Sequence, residues 1–105
     1  MTEGYIKLWL MRNRPGLMEE EYDHLATMLY HLWRWFKEDY PVGDFLQAFI
    51  ANNLEETIVR ADDINRDNLI VYIWFVHNEL PWNWREIKMQ QQEAARKEVK
   101  LSKSR

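Results

Sequence analysis

The chain of 105 residues contains no cysteine and only three glycines and three prolines. Without cysteine there is neither a disulfide framework nor a thiolate metal site, and a reducing cytoplasm is the expected setting. Glycine and proline punctuate folds made of many short strands and turns. Their scarcity therefore favours long helices joined by brief connections.

Long hydrophobic runs, a signal peptide and catalytic motifs are missing as well. The longest purely apolar run, residues 69–76, has eight residues, against the roughly 20 that span a bilayer. The first residues lack the basic region and apolar run of a signal peptide. The chain also lacks a nucleophile–histidine–carboxylate pattern, a glycine-rich phosphate loop and a paired-cysteine motif. We expect a cytoplasmic, non-enzymatic protein that needs no cofactor and does not enter a membrane.

Charge is distributed unevenly along the chain, whose net charge is −3. Residues 85–105 carry seven Lys or Arg and three Glu, a net of +4. Residues 1–84 carry seven basic and fourteen acidic side chains, a net of −7. The sequence thus predicts an acidic body followed by a basic tail.

Apolar periodicity predicts an all-α single domain of four to five helices over residues 1–105. Residues 2–14 fit a helix and a short strand equally well by pattern, and we favour the helix. After the break at Pro15-Gly16, a strong amphipathic stripe predicts a second helix to about Asp39. Glu19, Glu20 and Glu21 suit its first turn, where the helix dipole favours negative charge.

Two further breaks divide the rest of the chain. A helix opens at Gly43 or Asp44, and its apolar residues at positions 46, 50, 54 and 58 fall four apart on one line, with Asn52-Asn53 as a bend. Asp62 or Asp63 caps the next helix, which runs to about residue 80 before Pro81 stops it. The last helix is predicted over residues 84–100, followed by a frayed tail at 101–105.

Residues 69–76, LIVYIWFV, are rich in β-branched and aromatic side chains. A strand there would have no partner strand, so the segment reads as a helix that is apolar on all sides. Such a helix is expected to be central and buried, which places residues 63–80 at the middle of the bundle. The predicted core comprises Leu25, Leu29, Leu32, Phe36, Leu46, Phe49, Ile50, Leu69, Tyr72, Ile73 and Val76.

Two patterns resemble metal sites and have simpler explanations. Asp63, Asn65 and Asp67 match the first positions of a calcium loop, but Asn68 stands where glycine is needed and Trp74 where the bidentate Glu is needed. Helix capping explains these residues better. His24 and His31 share a helix face, yet zinc needs three or four spaced ligands. We predict no metal site.

The six tryptophans are the least ordinary feature of the sequence, with three of them inside residues 72–84. Helical residues two apart point about 200° from each other, so Trp33 and Trp35 cannot both face one core. Trp82 and Trp84 are spaced in the same way. Exposed Trp is typical of binding hot spots, so we predict a partner-binding surface made of Trp35, Trp82, Trp84, Glu19, Glu20, Glu38, Asp39, Glu55 and Glu56.

The basic tail offers an alternative site for phosphate groups. Its cations are interleaved with Glu86, Glu93 and Glu98, and the acidic body would repel nucleic acid. A solvated terminal helix is therefore the favoured interpretation. The residues of the alternative nucleic-acid site are Arg85, Lys88, Arg96, Lys97 and Lys100.

Residues 41–81 resemble small helical proteins encoded by phages and prophages. The shared elements are a Gly-x-Phe-Leu opening, an Asn-Asn-Leu step in mid-helix, an Ala-Asp pair before a capped helix, and an aromatic-rich helix that ends at proline. Here they are Gly43, Phe45, Leu46, Asn52, Asn53, Leu54, Ala61, Asp62, Asn65, Trp74, Asn78 and Pro81. The sequence after Pro81, WNWRE, departs from the pattern. The resemblance implies a phage origin and no particular mechanism.

An acidic, aromatic-rich phage product suits a binding role in the host cytoplasm. Acidic helical surfaces can occupy grooves that normally receive phosphate backbones. We therefore expect an inhibitor or modulator of a host protein complex, including an anti-defence protein of the anti-CRISPR kind. The alternatives are a homodimer or other self-associating phage assembly factor, and a nucleic-acid-binding protein.

Overall fold

The computed structural model describes the backbone of residues 1–103 and the side chains of residues 1–98. Seven helices account for this part of the chain, which contains no strand. The all-α prediction is confirmed. The helices are α1 (Glu3–Asn13), α2 (Glu19–Glu38), α3 (Asp44–Ile50), α4 (Leu54–Arg60), α5 (Asp63–Asp67), α6 (Leu69–Glu79) and α7 (Trp84–Lys103).

The first two helices form a hairpin. The Thr2 hydroxyl accepts a hydrogen bond from the amide of Tyr5 and caps α1, and α1 buries Ile6 and Leu10, which are four residues apart on one face. The predicted helix in this segment is confirmed. The Tyr22 hydroxyl donates to the carbonyl oxygen of Arg14 at 2.7 Å and so ties α2 to the turn between them.

The single helix predicted from residue 43 or 44 to residue 58 is wrong, because the chain breaks it into α3 and α4. Asn52 adopts the left-handed conformation with φ 59°, which Asn tolerates better than most residues. The Asn53 side chain then accepts from the amide of Glu56 at 3.1 Å and starts α4 as its N-cap. Two consecutive asparagines thus end one helix and begin another.

The helix predicted from Asp63 to Leu80 is also two helices, α5 and α6. Asp62 caps α5 as expected, accepting from the amide of Asn65. Buried Asn68 interrupts the helix: its side-chain nitrogen donates to the Ile64 carbonyl at 2.9 Å, and its oxygen accepts from Arg14 Nε at 3.1 Å. These two breaks explain why the described chain has seven helices where four to five were predicted.

Helix α6 is buried on one face only. Val71, Tyr72, Phe75 and Val76 pack into the core, whereas Ile73 is 57% exposed. The predictions that this helix is buried on all sides and that Ile73 belongs to the core are therefore wrong. Its pattern has no polar stripe that marks the outer face. With only 11 residues α6 is too short to span a bilayer, and no helix within residues 1–103 is both long and apolar enough to do so.

The rest of the predicted core is close to the observed one. Ile50 and Leu69 are partly buried, and the other predicted core residues apart from Ile73 are buried. The predicted core lacks the residues that α1 and the start of α7 contribute. The additional large buried side chains are Ile6, Leu10, Tyr22, Phe45, Val71, Phe75, Leu80 and Trp84.

Helix α7 packs on the body only at its start. Trp84 and Lys88 are buried and Ile87 is partly buried, but every residue from 89 to 98 is exposed. The helix therefore projects, which fits a molecule measuring 58 × 29 × 22 Å. It continues to Lys103, three residues beyond the predicted end, and the remainder of the predicted frayed tail, residues 104 and 105, lies outside the described chain.

Tyr72 makes the stability of the fold sensitive to alkaline pH. Its ring packs against Phe45 and Phe49 at centroid distances of 5.2 and 5.9 Å, and its hydroxyl donates to Asn65 Oδ1. Burial, with a further contribution from the charge of Asp62, raises the pKa of Tyr72 well above its usual value of 10.0. Above about pH 10 the unfolded chain releases this proton while the native state keeps it, so stability falls as pH rises.

Tyr72→Phe is expected to remove the part of the stability loss above pH 10 that comes from Tyr72. At pH 7 the variant should be less stable by about 1–3 kcal/mol, because Asn65 loses a buried partner. Urea unfolding between pH 7 and pH 11.5 measures both effects. Tyr5→Phe is the matched control, since Tyr5 is half exposed. An equally steep alkaline loss in Tyr72→Phe and in the wild type would contradict the assignment.

Candidate functional site

The structure leaves an apolar groove open between α4 and α6, which we call the α4–α6 groove. Its volume is about 270 Å³. Three of its lining residues are buried, of which Phe49 and Val76 belong to the hydrophobic core, and the others reach the surface. The lining residues are Phe49, Asn52, Leu54, Thr57, Leu69, Ile73, Val76 and Arg85.

The break at Asn52-Asn53 is what opens this groove. In one continuous helix, Leu54 and Ile58 would extend the buried line of Leu46 and Ile50. The break redirects the chain, and Leu54 becomes 71% exposed on α4. The two asparagines indicated an interruption of the helix at this point. The same residue pattern fits both a bend and a full break.

More apolar side chains are exposed around the groove. Ile58 follows Leu54 by one helical turn, Ile70 precedes Ile73 by three residues, and Trp74 is its neighbour; all three are exposed. Single exposed apolar residues are ordinary on soluble proteins, but clusters of them mark interaction sites. The exposed apolar surface of α4 and α6 thus extends beyond the residues that line the groove.

The described lining of the groove is mostly apolar. The Thr57 hydroxyl in its wall already donates to the carbonyl oxygen of Asn53. Arg85 is the one ionisable side chain among its lining residues, and a lone guanidinium supplies neither a nucleophile nor a general base at neutral pH. An apolar surface with one fixed cation can hold a ligand and orient it.

Three contacts hold the Arg85 side chain in place. Its Nε donates to the carbonyl oxygen of Ile50 at 2.9 Å and its Nη2 to that of Phe49 at 3.0 Å. Its guanidinium carbon lies 4.3 Å from the ring centroid of Trp84. Burial lowers the pKa of Arg85, and the side chain forms no salt bridge with any residue from 1 to 98.

The three tryptophans predicted to bind a partner do not share a surface. Trp82 is 88% exposed, as predicted, whereas Trp84 is only 5% exposed. Trp84 packs edge-on against Trp35 at a centroid distance of 6.0 Å and stacks on Phe49 at 6.2 Å. Trp84 is therefore buried where the prediction needed it exposed, because the chain turns after Pro81 and places the start of α7 on the core.

The predicted acidic residues are also spread apart. Glu19 and Glu20 begin α2, while Glu38 and Asp39 lie at its other end, about 28 Å away at 1.5 Å per residue. Glu55 and Glu56 follow Leu54 in the first turn of α4. Several of these carboxylates have partners: Glu19 pairs with Lys7, Glu38 with Arg34, Asp39 with Lys88 and Glu56 with Arg60.

The alternative basic site loses two of its five cations to internal contacts. Arg85 binds backbone carbonyls, and Lys88 is 2% exposed, with its ammonium paired to Asp39 and 5.0 Å from the ring centroid of Trp35. Lys88 is thus buried where the prediction needed an exposed cation, and Arg85 is only partly exposed. Arg96 and Lys97 are exposed on the projecting part of α7. The side chain of Lys100 lies outside the described part of the structure.

The metal-like patterns serve local structure. Asp62 caps α5, and Asp63 pairs with Arg66 on the same helix. His24 Nε2 lies 2.8 Å from Asp62 Oδ2, and the ring of His31 packs on Tyr40 at 5.0 Å. Within the described residues, His, Asp and Glu form no group of three or more that could hold a metal ion.

Comparison of the chain with protein families, with curated proteins and with solved structures finds no match.

Proposed function

We propose that the chain is a non-enzymatic binding protein that receives an apolar segment of another protein in the α4–α6 groove. The observation that carries this proposal is the exposure of Leu54 on α4 and Ile73 on α6, which line one groove with a buried apolar base. A groove between two helices is the usual receptor for the apolar face of an amphipathic helix. Nearby Ile70 and Trp74 would extend the contact.

We further propose that this binding modulates or inhibits a host protein complex in the host cytoplasm. Support for a host target comes from the resemblance of residues 41–81 to phage and prophage proteins. An anti-defence role of the anti-CRISPR kind is one form of this proposal.

Ile73→Asp tests the groove directly. Because Ile73 is exposed, we expect its free energy of unfolding to stay within about 0.5 kcal/mol of the wild type. A charge in the groove should nevertheless weaken partner binding, since it replaces apolar contact area and would also compete for Arg85. Affinity purification from a bacterial host lysate with quantitative mass spectrometry compares wild type and variant.

Leu8→Asp is the control for this experiment. Leu8 is an equally large apolar residue, exposed on α1 and outside the groove. We expect Leu8→Asp to recover the same partner as the wild type and Ile73→Asp to lose it. Equal recovery of the partner by all three proteins would show that the groove is not part of the binding site.

Self-association is the alternative use of the same groove, as expected of an assembly factor. Sedimentation at micromolar concentration distinguishes the two functions. A monomer that stays monomeric favours a different protein as partner, whereas a dimer abolished by Ile73→Asp would identify a second copy as the occupant.

A further inference from the structure

We infer that the segment bound in the α4–α6 groove carries a carboxylate that pairs with Arg85. This inference rests on the proposed function and specifies the chemistry of its partner. It combines three observations about Arg85: unused hydrogen-bond donors, the lack of an acidic partner in the described chain, and a fixed position in an apolar wall.

The guanidinium of Arg85 has donors to spare. It carries five N–H groups, and two hydrogen bonds engage its Nε and Nη2 with the carbonyl oxygens of Ile50 and Phe49. The remaining donors belong to a group that lines the groove. A ligand carboxylate is the natural acceptor, because its two oxygens match the spacing of guanidinium N–H groups.

Three of the other arginines in the described structure have acidic partners. Arg34 pairs with Glu38, Arg60 pairs with both Glu56 and Asp44, and Arg66 pairs with Asp63. Arg85 has no such partner among the side chains of residues 1–98. The cation next to the apolar groove is thus left without the countercharge that these surface arginines have.

The position of Arg85 favours a strong pair. Its two carbonyl contacts and the Trp84 ring fix the guanidinium before a ligand arrives, so little side-chain entropy remains to be lost. Burial already lowers its pKa, because the charged form is partly desolvated without a countercharge. An incoming carboxylate offsets that cost, and the apolar wall strengthens the attraction between the two charges.

The partner segment therefore has a defined pattern. A helix that places two apolar residues three or four positions apart can contact Leu54 and Ile73 with one face. An Asp or Glu about one turn away on that face would reach Arg85. The inference predicts that acidic residues are selected at this one position, even though the body of the chain is acidic overall.

Selection from a random library of displayed helical peptides on the full chain tests this pattern. We expect the selected peptides to share apolar residues one turn apart and Asp or Glu at a fixed distance from them. In the tightest peptide, replacing that acid by its amide should weaken binding by about 10- to 100-fold, as expected for a charge-assisted hydrogen-bonded pair. This comparison uses the wild-type protein and needs no folded variant.

Arg85→Gln completes a double-mutant cycle with the same peptide pair. If the acid contacts Arg85, the acid and amide peptides should bind Arg85→Gln within about twofold of each other. A melting curve verifies that the variant is folded, and Arg85→Lys, which keeps the charge without the planar fork, should restore part of the preference for the acid.

Two kinds of failure are distinguishable. The first concerns peptides that bind the wild type and not Ile73→Asp. If such peptides show no preference for an acid, or keep that preference in Arg85→Gln, the inference is overturned and the groove remains a binding site. If no selected peptide depends on Ile73, or if the chain sediments as a dimer that excludes peptide, the proposed function fails together with it.

Discussion

Trp84→Ala is expected to lower the free energy of unfolding by about 3–5 kcal/mol, the usual cost of removing a buried tryptophan. The Trp84 ring lies between Trp35 and Phe49, and it also supports the guanidinium of Arg85. Alanine would leave a cavity where these groups meet and would release the start of α7. Domains of this size are stable by about 5–15 kcal/mol, so the variant should be near the limit of folding.

Urea unfolding, followed by the fluorescence of the other five tryptophans, measures this loss. Trp82→Ala is the matched control, because Trp82 lies two residues earlier in the chain and is almost fully exposed. Its free energy of unfolding should stay within about 0.5 kcal/mol of the wild type. Equal losses for the two variants would mean that α7 does not dock through Trp84.

Asp39→Asn is expected to cost about 1–3 kcal/mol, because it removes the partner of a buried cation. The Lys88 side chain is almost fully buried, and Asp39 supplies the one carboxylate within salt-bridge distance of it among residues 1–98. Breaking a fully buried pair costs about 3–5 kcal/mol. The cost should be lower here, since Asp39 itself is exposed to water. Asparagine tolerates the left-handed backbone at this position, where φ is 57°.

Lys88→Met provides the second arm of this experiment. Methionine keeps the packing of the lysine stem and removes the buried charge, so its stability should stay within about 1 kcal/mol of the wild type. In the Lys88→Met background, Asp39→Asn should cost less than about 0.5 kcal/mol. Urea unfolding of the four proteins gives the coupling energy, and a full loss in the double variant would show that Asp39 acts through the backbone alone.

Local patterns predicted the helices that have a distinct polar face. In α2 the apolar residues recur every three or four positions, and acidic residues occupy the first turn, so its limits and buried face followed from the sequence. Helix α6 is apolar on nearly every side, so the same reasoning identified a helix but not its exposed face. Which side is covered depends on where α1 and α3 lie, since their aromatic rings pack on Phe75 and Tyr72. Periodicity within α6 does not contain that information.

The candidate site was harder to predict than the fold. Spacing correctly indicated that Trp82 and Trp84 do not share one environment, but it does not specify which of the two is buried. The groove depends on the break at Asn52, which adopts the left-handed conformation, although Asn also occurs within helices. The role of Arg85 depends on contacts with residues 35 and 36 positions earlier in the chain.

Helix α7 has a consequence for how unfolding of this protein is observed. Isolated helices of about ten residues are marginal in water because the first turn is costly to form. Here the docked residues 84–88 act as a preformed helix nucleus, so the helix needs only to propagate into the solvated stretch after them. That stretch can unwind from its far end as the temperature rises while the body stays folded. Circular dichroism would then lose helical signal at a lower temperature than tryptophan emission changes, since all six indoles precede residue 85. Two probes that disagree in this way rule out a two-state analysis of the whole chain.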